Sequence, residues 1–140
     1  MTSEFRNLNP ADVVITTKRK GIGLYKHYMV YIGNNIFLEN NTGGVTSIYY
    51  ESESEFLEDC LPIKIRKFVG NNKDRQEAVK RGLSKIGESY NVFTYNCEHF
   101  ANWVQQGVSR SIQSFCLISG ILLIFATLVA FFVMKKSKNE

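Results

Sequence analysis

Tyr95-Asn96-Cys97-Glu98-His99-Phe100 places one thiol where a loop gives way to a helix. From Cys97 onward the apolar residues fall at Cys97, Phe100, Ala101 and Val104, the i, i+3, i+4, i+7 stripe of a short helix, and Gly107 supplies the stop. Asn96 is then a natural N-cap. The unpaired N–H groups of a first helical turn, backed by the helix dipole, favour negative charge at that spot and so favour the nucleophilic thiolate. The same groups suit the oxyanion of a tetrahedral intermediate. An isolated cysteine on an apolar stripe also fits a small buried hydrophobe, so its role depends on what the rest of the chain brings to it.

A thiol nucleophile needs a base, and the chain holds two histidines, His27 and His99. On a helix, position i+2 is turned about 200° from position i, which points His99 away from Cys97. His99 therefore reads as structural, holding the helix against a sheet by a hydrogen bond. His27 is the candidate general base, with Glu39 or, failing that, Asn41 to orient it. A metal site built from Cys97, His99 and His27 lacks four ligands at zinc spacing, so no metal or other cofactor is expected.

These side chains must be carried by a small sheet and two helices. Asp12 to Thr17 is a β-branched run and reads as a first strand; Tyr25 to Ile32 is a second, turned by Gly33-Asn34-Asn35 into a third that starts at Ile36. With a three-residue loop, Ile32 pairs with Ile36, and His27 lies opposite Asn41 with Glu39 diagonal on the same face; a one-residue change would bring in Asn40 instead. Thr46 to Tyr50 reads as another short strand, Glu51 to Asp59 as an acidic surface loop or helical turn, and Pro62 to Val69 as a half-buried strand. Ala78, Val79, Leu83 and Ile86 mark a helical face between Asp74 and Ile86, capped by Asn72 and stopped by Gly87. Tyr90 to Tyr95 is the loop that delivers Cys97. The basic loop Lys18-Arg19-Lys20-Gly21-Ile22-Gly23 lacks the spacing of a nucleotide fingerprint; it reads as a solvated turn that could also meet anionic headgroups.

The chain has 140 residues and a net charge of +4, of which Lys135, Lys136 and Lys138 against Glu140 contribute +2. That balance, without an aromatic-interleaved basic stripe, argues against nucleic acid as a partner. Cys60, Cys97 and Cys116 are odd in number and no signal peptide leads the chain, which fits a reducing, cytosol-facing setting. Phe115 to Met134 runs 20 residues without a charge, enough for a helix of about 30 Å, the thickness of a bilayer's hydrocarbon core. A domain of about 110 residues cannot wrap a helix that is apolar all round. The expected organisation is a catalytic domain over 1–112 and a transmembrane tail anchor over 113–140, inserted after synthesis with the domain in the cytosol. The terminal lysines point the other way under the positive-inside tendency, which describes mainly cotranslational insertion. Cys116 stands at the membrane edge as a palmitoylation candidate or a small apolar residue.

Pro10-Ala-Asp12-Val-Val, Tyr25-Lys-His27-Tyr-Met-Val-Tyr31-Ile-Gly33, Tyr90-Asn91-x-x-x-x-Asn96-Cys97-Glu98-His99-Phe100 and Gly107-Val-Ser-Arg110-Ser, followed by an apolar tail, together resemble the lecithin:retinol acyltransferase-like family. Within it the chain is most similar to the phospholipase A and acyltransferase branch, the HRAS-like suppressors. The resemblance implies an α+β, circularly permuted papain-like (NlpC-type) domain with a small antiparallel sheet packed on helices and one C-terminal transmembrane helix. It implies Cys97 as the acyl-accepting nucleophile, His27 as the base, a glycerophospholipid as substrate, a thioester intermediate, and transfer to water, an amine or a lysolipid. The short span with its basic tail points to an intracellular membrane: endoplasmic reticulum, peroxisome or mitochondrial outer membrane. One position departs from the pattern: where family members usually carry a second histidine, twelve residues after the first, this chain has Glu39. A carboxylate there can still hold the His27 tautomer, while rate and pH optimum are open to change. A non-catalytic anchored module that lost turnover through this change, and a cysteine peptidase-like hydrolase, are the alternatives.

Overall fold

The computed structural model describes residues 7–18 and 26–137; the basic loop at 19–25, with its expected headgroup contact, lies outside them. Five strands, β1 (Val13–Lys18), β2 (His27–Gly33), β3 (Ile36–Asn41), β4 (Gly44–Tyr49) and β5 (Cys60–Arg66), form one antiparallel sheet in the order β4-β3-β2-β1-β5. Four helices accompany it: α1 (Glu53–Asp59), α2 (Asn72–Leu83), α3 (Cys97–Gln106) and α4 (Ile112–Ser137). The protein is thus an α+β fold with a small antiparallel sheet and a C-terminal apolar helix.

Strand alternation divides the core between the two faces of the sheet. Val13, Ile15, Tyr28, Val30 and Leu38 pack with Ala78 of α2 and Phe100, Ala101 and Val104 of α3. Their sequence neighbours Val14, Met29 and Phe37 pack on the other side with Tyr50, Phe56 and Cys60. The acidic segment expected as a surface loop or helical turn is a short helix that also reaches the core: α1 carries the fully buried Phe56, which stacks on Phe37 with ring centroids 5.5 Å apart.

The β2–β3 hairpin turns on two residues, Asn34 and Asn35, both at positive φ (50° and 58°), as a type I′ connection requires. Gly33 pairs with Ile36, and the ladder shifts between Tyr31 and Gly33, so a bulge takes up one residue. Beyond the bulge the register is the one expected of a three-residue loop: Val30 faces Leu38 and Met29 faces Glu39. Continued by two residues, it sets His27 against Asn41.

Helix α2 differs from its expected bounds. Its N-cap is Asn71, not Asn72, in a capping box with Asp74, and it ends at Leu83. Leu83 and Ile86 are exposed rather than core-facing. The chain leaves the helix to reach the sheet edge, where Gly87 N–H donates to Val45 and Val45 N–H donates to Glu88. The close approach to α3 falls at Gly82, where a Cβ would stand 2.9 Å from Leu38 and 3.2 Å from Val104.

Candidate active site

Cys97 is the first residue of α3, as the stripe predicts, and Cys97, Phe100, Ala101 and Val104 are all buried. The helix stops at Gly107 in the left-handed conformation (φ 70°). Asn96 caps it, accepting from the N–H groups of Glu98 at 3.0 Å and His99 at 3.2 Å, while its own N–H donates to His99 Nδ1 at 3.3 Å. Phe100 N–H donates to the Asn96 carbonyl. Neither the cap side chain nor the cap carbonyl engages the Cys97 N–H, so this is the first-turn amide left to face a ligand.

His99 is structural, but not in the expected way. It closes the capping box of its own helix instead of tying that helix to the sheet. Burial holds its pKa below the usual histidine value, consistent with a neutral ring accepting at Nδ1.

His27 opens β2, and its Nε2 lies 2.6 Å from Glu39 Oε2. Glu39 is thus the residue that reaches the imidazole. Asn41, the alternative orienting residue, stands one step behind, donating from Nδ2 to Glu39 Oε1 at 2.6 Å. Asn41 Oδ1 in turn accepts from the Gly43 N–H of the following turn, so the carboxylate is itself held in place. With Nε2 committed to Glu39, the other ring nitrogen is the one left for Cys97, which is among the groups that raise the His27 pKa. Burial alone would discharge His27, yet the neighbouring Cys97 and the hydrogen-bonded Glu39 push its pKa up to about 9. Cys97 Sγ also lies 3.8 Å from the Lys26 carbonyl.

Sequence reasoning missed the shell that holds this helix terminus. Glu98 is buried and accepts from Tyr28 OH at 3.3 Å, Ser111 Oγ at 2.6 Å and the Gln113 N–H at 3.0 Å. Asn96 Nδ2 donates to Ser114 Oγ at 2.8 Å and to the Val92 carbonyl at 3.1 Å. The available signal was Ser111 as an N-cap for the apolar helix, with Glu98 one residue past the thiol. Periodicity cannot show that a carboxylate on one helix caps the next.

A buried thiol on a helix N-terminus, an imidazole on an adjoining strand and a carboxylate behind it are the residue types that thiol-dependent acyl transfer uses. The chain belongs to the lecithin retinol acyltransferase family, whose family model, Lecithin retinol acyltransferase, matches residues 6–110. No curated protein matches the chain. Membership brings an acyltransferase- or phospholipase-type activity and a lipid substrate in general terms. The helix Ile112–Lys136, whose most apolar stretch has a mean hydropathy of 2.8 and is not buried at all, fits a single-pass membrane anchor.

Proposed function

We propose that the protein is a membrane-tethered thiol phospholipase A and acyltransferase of the HRAS-like suppressor type, with Cys97 as nucleophile, His27 as general base and acid, and Glu39 as the residue that orients His27. The observation that carries this reading is the 2.6 Å bond between His27 and Glu39, made by an imidazole whose pKa is raised by both Glu39 and Cys97 at the start of α3.

The raised pKa of His27 favours the reactive ion pair of this proposal, in which the imidazole carries the proton and the sulfur attacks as the nucleophile. The sulfur attacks the ester carbonyl of a glycerophospholipid, and the carbonyl electron pair moves to oxygen, where the Cys97 N–H meets the oxyanion. On collapse the C–O bond breaks, the glyceryl oxygen takes the proton from His27, and a lysophospholipid leaves an acyl thioester on Cys97. His27, now neutral, removes a proton from water, an amine or a lysolipid hydroxyl as that acceptor attacks the thioester. Collapse then expels the thiolate and restores the imidazolium. The domain (1–112) faces the cytosol and the tail (113–140) holds it at an intracellular membrane. Tethering turns a search through solution into a search over a surface.

The full chain reconstituted in nanodiscs of diacyl phosphatidylcholine is expected to acquire one fatty-acyl mass on Cys97 and to release lysolipid. Cys97→Ser abolishes both, and His27→Ala lowers the rate by about 10²–10⁴-fold. Absence of adduct and lysolipid from pH 5 to 9 would overturn the proposal in favour of a non-catalytic module.

A further inference from the structure

Helix α4 is bonded to the ground beneath the thiol. Gln113 Oε1 accepts from the Lys26 N–H at 3.1 Å, and Gln113 Nε2 donates to the Lys26 carbonyl at 3.3 Å, the same oxygen that Cys97 Sγ approaches. Ser111 and the Gln113 N–H are held by Glu98, and Ser114 by Asn96. Ser114 Oγ also donates to the Val92 carbonyl at 2.8 Å, which fixes the loop before Cys97 against the first turn of α4.

This junction is apolar on the outside. Val92 and Phe93 are 40% and 43% exposed, and Ile112 and Phe115, which flank the bonded residues of α4, are 72% and 71% exposed. Single exposed apolar side chains are ordinary on a protein surface. Here four of them border one hydrogen-bonded seam, and the seam continues directly into the candidate membrane helix. Its depth follows from length: the 20 charge-free residues from Phe115 to Met134 rise about 30 Å, so the hydrocarbon boundary falls at Phe115. Ser114, and the Val92 carbonyl bonded to it, stand at that boundary. Lys26 and Arg110, both exposed beside the seam, are the cations that phosphate headgroups attract.

We propose that the Val92–Phe93 loop tip and the first turn of α4 form one lipid-seated surface, whose partner is the upper acyl-chain region of a phospholipid bilayer, and which sets the mouth of the Cys97 site at the level of the ester bonds. The proposal rests on reading α4 as a membrane span, and it adds a second point of contact that α4 alone does not provide.

Its test is depth-dependent quenching of the full chain in phosphatidylcholine nanodiscs brominated at defined acyl positions. The reporter is Phe93→Trp, with the chain's one native tryptophan removed by Trp103→Phe; Val92→Trp in the same background is a second reporter. Bromine near the top of the acyl chain is expected to quench more strongly than bromine near its end, and aqueous acrylamide to quench weakly. No quenching by any brominated lipid, with full quenching by acrylamide at both positions, would overturn the proposal, as would failure of the chain to co-purify with the discs. The readout needs no turnover, so a chain that quenches without acylating Cys97 fails the enzymatic reading alone. In the native background, Phe93→Asp is expected to slow acylation of Cys97 by bilayer phospholipid about tenfold while leaving iodoacetamide alkylation of Cys97 unchanged. Equal acylation by wild type and variant would also count against it.

Discussion

At the scale of single residues, the decisive feature is that His27 is buried between two groups that favour its charged form. Its pKa is raised from 6.5 to about 9, so the charge it carries in the folded protein contributes stability that is complete below pH 6.5 and lost as pH rises through 9. Denaturant unfolding of the wild type is therefore expected to show falling stability between pH 6.5 and 9, and Glu39→Gln to flatten that fall. In the proposed turnover the same proton is the one delivered to the leaving glyceryl oxygen, so kcat/KM is expected to decline on an alkaline limb near pH 9. That limb belongs to the Cys97–His27–Glu39 cluster as a whole. Glu39→Gln keeps the size and loses the charge; it should move the limb towards acid by about 1–3 units. An unmoved limb in a pH-rate profile would mean that Glu39 does not act on His27. Glu39→His, which restores the residue that the family resemblance suggests, exchanges a carboxylate for a neutral ring and should shift the limb in the same direction.

At the scale of elements, the site depends on the helix–helix contact at Gly82. Ala is the better helix former by up to about 1 kcal/mol, but a methyl group here enters a space bounded by fully buried Leu38 and the β-branched Val104. Overpacking of this kind costs about 1–3 kcal/mol, so Gly82→Ala should cost about 1 kcal/mol of stability net, read as a lower urea midpoint with an unchanged slope. Helix α3 was legible before any coordinates because its cap, its stripe and its stop are all local and agree. The pairing of His27 with Glu39 was half legible: the hairpin signal fixed the two strands, whereas the bulge that makes a two-residue turn keep a three-residue register was invisible. The lower end of α2 was misread because Leu83 and Ile86 continue the helical spacing, while the chain there is claimed by hydrogen bonds to β4. The Glu98 and Asn96 network was not legible at all, since Ser111 to Ser114 read as the approach to an apolar span, and what they bond to is set by tertiary packing.

At the scale of the whole molecule, the sheet-backed helix that begins at Cys97 and an apolar helix of 26 residues are joined by only the short stretch from Gly107 to Ser111. An anchored enzyme of this form meets its substrate as a surface mole fraction, not as a bulk concentration. The rate in vesicles should fall in proportion when phosphatidylcholine is diluted with a non-hydrolysable ether lipid, and should be unchanged when more vesicles of the same composition are added after reconstitution. A rate that follows total lipid at fixed mole fraction would mean that the chain exchanges freely between surfaces. The short connection, stapled to Glu98 at its far end through Ser111 and the Gln113 N–H, restrains the domain against swivelling on the apolar helix. Donor and acceptor would then be drawn from the one monolayer beneath the domain, and lipid remodelling by this protein would build an acyl-chain asymmetry between the two leaflets that only transbilayer flipping could erase.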